Sequence, residues 1–151
     1  MADTFLYVTY IRTTPQTLWD ALIKPEFTQL YWGGIRHDSD WKPGSSWGLV
    51  FPDGRVADAG EVLEIDPPRR LVISWRNEFR PELKAEGFSR ATFELETTSP
   101  DVVKLTVTHQ IDVDGSKFIQ AVSTGWPSIL SSLKSLLETG RTLDGKELQA
   151  A

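Results

Sequence analysis

The C-terminal part of the chain carries the longest regular hydrophobic pattern. Within residues 115–140, apolar side chains recur at steps of three and four, which is the period of one face of an α-helix. They are Phe118, Val122, Trp126, Ile129, Leu130, Leu133, Leu136 and Leu137. Asp114 or Ser116 can cap the start, and Gly140 can end the helix in a left-handed conformation. We therefore predict one long helix that buries one stripe and is kinked or broken at Pro127, which lacks an N–H donor.

Alternating patterns predict strands through most of the remaining chain. The clearest is 103–111, where Val103, Leu105, Val107, His109 and Ile111 share one face. Further strands are predicted at 5–12, 46–51, 71–76 and 90–96. Another strand is predicted to follow the turn at 52–54 and to end at about residue 65. At 5–12 nearly every residue is apolar or aromatic, so the pattern does not say which face is inward. Segment 35–43 is predicted to be a loop and 77–87 a mobile loop, because both are mainly polar or charged.

Two short helices are predicted directly after the first strand. Thr14 is a suitable N-cap with Pro15 at the first helical position, and a second helix is expected at 26–31. The order is then one strand, two helices, about five strands and one long helix. This order predicts an α+β fold in a single domain over 1–151, with a curved antiparallel sheet wrapped around the final helix and a flexible tail at about 141–151.

Composition narrows the range of functions. The 151 residues carry a formal net charge of −5, no cysteine and two histidines, so we expect no disulfide, no metal site and no nucleic-acid partner. No apolar run is long enough for a membrane span, and the start lacks a signal-peptide pattern, so we expect a cytoplasmic protein. Six Trp, seven Phe and three Tyr are available to fill a core or line a pocket.

Two motif matches are rejected on their context. Residues 44–48 spell G-x-S-x-G, but a proline loop precedes them and a strand is predicted to follow, whereas a hydrolase elbow needs a strand and then a helix. Residues 140–146 fit G-x-x-x-x-G-K, but Glu147 replaces the Ser or Thr that would hold magnesium. We therefore predict no catalytic residue and no cofactor from these motifs.

Several polar residues have two interpretations. His109 falls on the covered face of its strand, either as a core histidine satisfied by hydrogen bonds or as the polar anchor of a pocket. Either Glu61 or Glu64 points inward by parity, unless a bulge lets both reach water. The loop residues Arg36, His37, Asp38 and Asp40 are either the rim of a cavity or simply solvated.

Four segments resemble a known family. TLWDALIKPEFTQLYW, DWKPGSSW, GEVLEIDPPRRLVISW and GWPSILSSLKSLLETG are similar to the successive motifs of the bacterial family named after the activator of heat-shock protein 90 ATPase, within the START-like (SRPBCC) superfamily. The resemblance implies a helix-grip fold with a hydrophobic cavity between sheet and helix. In many relatives that cavity binds lipids, hormones or polyketides, and the namesake stimulates a chaperone ATPase.

We therefore expect a protein that binds an apolar or aromatic small molecule between the sheet and the final helix. The predicted lining is Trp32, Trp47, Phe51, Trp75, Phe93, His109, Trp126 and Leu130. One alternative is a co-chaperone-like regulator of a heat-shock protein 90 ATPase with a role in the stress response. Another is a cyclase or hydrolase acting on an aromatic or polyketide-like substrate, which would need at least two polar groups converging in the cavity. The sequence leaves open a homodimer and a chaperone partner.

Overall fold

One antiparallel sheet carries the fold. The computed structural model describes residues 2–148, and within them seven strands pair in the order β1-β7-β6-β5-β4-β3-β2. The strands are β1 (Asp3–Arg12), β2 (Arg36–Ser39), β3 (Ser46–Val50), β4 (Val56–Asp66), β5 (Arg70–Asn77), β6 (Ser89–Ser99) and β7 (Val102–Ile111). Every neighbouring pair is antiparallel.

Four helices accompany the sheet within the same residues. They are α1 (Pro15–Ile23), α2 (Pro25–Tyr31), α3 (Pro81–Lys84) and α4 (Lys117–Thr139). The buried apolar residues form one core that joins α1, α2 and α4 to the inner face of the sheet. The α+β helix-grip architecture predicted from the sequence is confirmed. No helix in the described part of the chain is both long and apolar enough to cross a membrane.

The long helix α4 has the predicted ends. The Ser116 hydroxyl accepts the Ile119 N–H at 3.0 Å as the N-cap, and Gly140 follows the helix at φ 86°. Glycine adopts this left-handed conformation without the steric cost that other residues have. The helix is continuous through Pro127, so the break that this proline allows does not occur.

Strand β1 forms one edge of the sheet, and the structure decides its inward face. Leu6, Val8 and Tyr10 point outward and are exposed, while the odd-numbered positions face the core. Two residues of α4 reach the open backbone edge. The Lys134 ammonium donates to the Tyr10 carbonyl, and the Glu138 carboxylate accepts the Arg12 N–H at 2.8 Å.

Two segments predicted as loops contain regular structure. Residues 36–39 form β2, because their backbone pairs with β3 over four residues, and this pairing turns His37 inward. The expected mobile loop at 77–87 contains α3, and Leu83 on that helix is buried in the core. Both segments are polar overall, so their order depends on partners that are distant in the sequence.

Two register shifts interrupt β4. One lies between Val62 and Glu64, and both Glu61 and Glu64 are exposed. The sequence interpretation in which a bulge lets both carboxylates reach water is confirmed. The other shift lies opposite Leu49 and Val50, and it leaves the adjacent residues Ala57 and Asp58 both buried. Simple alternation would have exposed one of them.

The first part of the predicted tail folds back on α4. Arg141 pairs with Glu147 in an isolated bridge, Thr142 is buried, and the Leu143 N–H donates to the Ser132 hydroxyl at 3.2 Å. Residues 149–151 of the predicted tail lie outside the described residues.

Candidate functional site

A cavity of about 230 Å³ lies between the sheet and the first half of α4. Its helix wall includes Phe118, Ala121, Val122 and Gly125. The sheet wall comes from β3, β4 and β5, and Trp32 after α2 closes one side. The walls are therefore mainly aromatic and aliphatic, as is usual for sites that bind small molecules.

Four of the eight predicted lining residues line this cavity. They are Trp32, Phe51, Trp75 and Trp126. The other four, Trp47, Phe93, His109 and Leu130, are buried but do not line it. Strand parity and helix period place these four on the inner face, and Trp47, Phe93 and His109 pack against the rings of Trp75 or Trp126, which do line the cavity. The Trp47 ring, for example, packs 4.5 Å from the Trp75 ring, centroid to centroid.

Three tryptophans form the centre of the aromatic wall. The Trp126 ring meets Trp32 edge-on at 5.3 Å and Trp75 edge-on at 5.6 Å, while Trp32 and Trp75 stack at 6.2 Å. Edge-to-face and offset contacts at these distances are the favourable arrangements of aromatic pairs. The three rings thus support one another and form a fixed surface.

His109 is held as a neutral core histidine. Its Nδ1 accepts the Trp126 indole N–H at 3.1 Å, and its Nε2 lies 2.8 Å from the Ser89 hydroxyl. That hydroxyl donates to the Trp75 carbonyl at 2.7 Å, so the imidazole proton must sit on Nε2 and point at Ser89. Burial lowers the pKa of His109 to about 3. Both ring nitrogens are occupied, so the geometry favours the core interpretation over the anchor of a ligand.

His37 also accepts a hydrogen bond from a buried tryptophan, although the sequence predicts a loop at this residue. Its Nδ1 accepts the Trp47 indole N–H at 2.8 Å, and the side chain is almost fully buried. Burial lowers the pKa of His37 to about 3. A short polar strand such as β2 gives no periodic signal of its own, so only its pairing with β3 reveals that this histidine is inward.

Asp58 is the carboxylate of the site, and sequence reasoning missed it. Its Oδ2 accepts the Trp75 indole N–H at 2.7 Å, it lines the cavity, and its side chain is 7% exposed. Burial raises the pKa of Asp58 to about 6, and Glu78 adds to the rise, while hydrogen bonds from Trp75 and Asn77 oppose it. Because the register shifts beside Leu49, simple alternation along β4 does not predict that Asp58 faces inward.

Asn77 connects the polar part of the cavity to its mouth. Its side-chain carbonyl accepts the N–H groups of Phe79 at 3.2 Å and Arg80 at 2.8 Å. Phe79 and Arg80 also line the cavity, and about half of the Phe79 ring is exposed, so this segment forms the rim. Phe79 packs edge-on against Phe51 at 5.3 Å.

The rim segment is tied to the start of α4 by one glutamate. The Glu86 carboxylate accepts the Ser116 hydroxyl and the Lys117 N–H, the latter at 2.9 Å. A carboxylate at this position satisfies free helix N–H groups and interacts favourably with the helix dipole. The rim and the helix wall of the cavity are therefore held together.

No group of three or more His, Cys, Asp or Glu side chains among residues 2–148 is placed to hold a metal ion. The structure also rules out the G-x-S-x-G match as a hydrolase elbow, because its serine, Ser46, is the first residue of β3, and a strand follows where the elbow needs a helix. The cavity is thus mainly aromatic and aliphatic, with Asp58, Asn77 and the rim residue Arg80 as its polar groups.

A protein-family model and several solved structures match this chain. Residues 12–138 match the family model described as "Activator of Hsp90 ATPase homolog 1-like protein". The chain belongs to this family. No curated protein sequence matches it significantly.

Several solved structures share the fold of this family member. Protein MLL2253 from Mesorhizobium loti has a TM-score of 0.75 at 23% identity, covering 89% of this chain and 96% of that one. The Aha1 dimer from Colwellia psychrerythraea has a TM-score of 0.73 at 19% identity, covering 91% and 98%. PFC0360w, an HSP90 activator from Plasmodium falciparum, has a TM-score of 0.71 at 21% identity, covering 89% and 95%.

Proposed function

We propose that the protein binds a small apolar or aromatic molecule in the cavity between the sheet and α4. The observation that carries this proposal is the open space of about 230 Å³ between the sheet and α4, bordered by Trp32, Trp75 and Trp126, where a close-packed core would leave none. An engineered apolar cavity of about 150 Å³ is large enough to bind benzene. The space therefore suits a molecule with one or two rings.

Helix α4 supplies a variant that fills the cavity without disturbing its walls. Gly125 lines the cavity, and a Cβ atom added there would meet no other atom within 4 Å. In Gly125→Leu the new side chain should occupy the space a ligand needs. The matched control is Thr124→Leu, which adds leucine at the preceding, exposed position of the same helix.

Binding is measured with the neutral two-ring fluorescent probe 6-propionyl-2-(dimethylamino)naphthalene, whose emission rises in an apolar site. We expect saturable binding to the wild-type protein and to Thr124→Leu, and a loss of at least tenfold in affinity, about 1.4 kcal/mol, in Gly125→Leu. Equal binding to all three proteins would place the probe elsewhere on the surface. No saturable binding to the wild-type protein would contradict the proposal.

A second candidate is regulation of an Hsp90-type ATPase, because the chain belongs to a family named for that activity. Its test is the ATPase rate of a purified bacterial Hsp90 homologue with and without this protein. If the contact is made by the outer surface, stimulation should be the same with Gly125→Leu, since that change is confined to the cavity. An unchanged ATPase rate with wild-type protein would remove this candidate.

A further inference from the structure

The Asp58 carboxylate has unused capacity to accept hydrogen bonds. An ionised carboxylate offers about four acceptor positions and no donor. The Trp75 indole N–H occupies one position at 2.7 Å. A ligand that reaches Asp58 would therefore be complementary if it brought an N–H or O–H group.

Within the described part of the chain, no cationic side chain forms a salt bridge with this carboxylate. None of the salt bridges formed between residues 2–148 includes Asp58, and the charged residue that perturbs it is Glu78, another carboxylate. The basic groups nearby are engaged elsewhere. Arg76 pairs with Glu78 at 2.6 Å and Arg80 with Glu82 at 3.0 Å. A buried carboxylate without a counter-charge is unfavourable, so a cation entering the cavity would be stabilised there.

The aromatic wall also favours a positive charge. Trp32, Trp75 and Trp126 line the same cavity as Asp58. A cation beside an indole ring is attracted by the ring quadrupole, and the effect increases when water is excluded. The rings also provide the apolar contact that an aromatic body requires. The acidic group and the aromatic wall therefore select the same kind of molecule.

We infer that the ligand is an aromatic amine, bound as its cation with the ammonium group at Asp58 and its ring against the wall formed by Trp32, Trp75 and Trp126. This inference rests on the proposed binding function of the cavity. It adds a chemical class that the apolar lining alone does not define, because the lining would accept a hydrocarbon equally well.

Three probes of matched shape and different charge test the inference. They are 2-naphthylmethylamine as the cation, 2-methylnaphthalene as the neutral molecule and 2-naphthoic acid as the anion. Titrations at pH 7.5, where Asp58 is ionised, follow the quenching of tryptophan fluorescence. We expect the amine to bind the wild-type protein at least tenfold more tightly than the hydrocarbon, and the acid to bind most weakly.

Asp58→Asn should remove the preference without removing the pocket, because asparagine has a similar shape and its carbonyl can still accept the Trp75 N–H. In this variant the amine and the hydrocarbon should bind within about threefold of each other. The matched control is Glu61→Gln, which removes one negative charge from an exposed position of the same strand, and it should behave like the wild type.

The outcomes separate this inference from the function on which it rests. If the hydrocarbon and the amine bind the wild-type protein equally, the amine inference is wrong and the binding function stands. If the acid binds most tightly, the inference is wrong as well. If no probe binds, the binding function itself fails. The ranking of probes on wild-type protein is decisive even if Asp58→Asn does not fold.

Discussion

The two halves of α4, on either side of Pro127, meet the sheet differently. The first half presents Ala121, Val122 and Gly125 to an open cavity. The second half presents Leu130 and Leu133, which are buried without lining it. One hydrophobic stripe therefore serves two purposes. Ala121 and Gly125 leave space in the first half that leucines fill in the second, although Ile129, just after Pro127, still borders the cavity.

Buried ionisable groups follow the same division. His109 contacts Trp126 and Phe118 in the first half, and Asp58 lines the cavity that this half covers. The second half is instead joined to the sheet edge through Lys134 and Glu138, both partly exposed. The half of α4 before Pro127 thus lies beside open space and desolvated polar groups. The half after Pro127 is held mainly by close packing of apolar side chains.

The largest expected difference between the halves is in the cost of truncating a side chain. Leu133→Ala should lower the free energy of unfolding by about 3 kcal/mol, because the side chain is fully buried and leaves a new cavity. Val122→Ala should cost about 1 kcal/mol or less, because the residue is half-buried beside an existing cavity. Urea denaturation measures both values, and equal losses would contradict the division of α4.

The second-largest expected effect is a loss of folding stability in acid. The pKa of His37 and of His109 is about 3 in the folded protein, below the ordinary value of 6.5, so the unfolded chain takes up these protons first. Their contribution to stability is present above pH 6.5 and is lost as the pH falls toward 3. Asp58 acts in the opposite direction, because its pKa of about 6 exceeds the ordinary 3.8, and it adds stability as the pH falls through 6.

The net loss between pH 7.5 and 5.5 should be about 2 kcal/mol, as both histidines outweigh the one carboxylate. Denaturant titrations at the two pH values measure it, above the range where ordinary carboxyl groups titrate. After correction for the slower intrinsic exchange of amides at the lower pH, the protection factor should fall more between pH 7.5 and 5.5 at the amide of Trp126 than at the amide of Leu136. An unchanged free energy of unfolding would show that the histidines are not held neutral.

The smallest expected effect is a gain. Gly125→Ala should raise the free energy of unfolding by about 0.5 to 1 kcal/mol, because glycine inside a helix is less favourable than alanine and the added Cβ has room. Thermal denaturation detects the change. A destabilisation would mean that the helix wall at this position is less open than its geometry indicates.

The sequence predicts the elements that depend on their own pattern. Helix α4 with its Ser116 cap, the strands β6 and β7, and the inward position of His109 all follow from regular spacing. These segments carry both the hydrophobic period and suitable ends, so local preference and tertiary packing agree. The fold class follows from their order.

The missed features depend on contacts between distant residues. The four residues of β2 carry no apolar alternation, and they form a strand because β3 offers them a partner. Asp58 faces the cavity because a bulge shifts the register of β4. Strand parity predicts which side chains lie on the inner face of the sheet, but it does not predict which of them border the cavity. Trp47 and Phe93 are therefore predicted to line the cavity, whereas in the structure they are buried without lining it.

The two hydrogen bonds from α4 to β1 also affect how copies of the protein meet. An unpaired strand edge is a template on which another chain can add a strand and start aggregation. Tyr10, with its exposed ring, would be an attractive place for such growth, but its carbonyl is bound to Lys134 and the nearby Arg12 N–H to Glu138. The helix that covers the cavity therefore also protects this end of the sheet, which should help the protein to stay dispersed at high concentration.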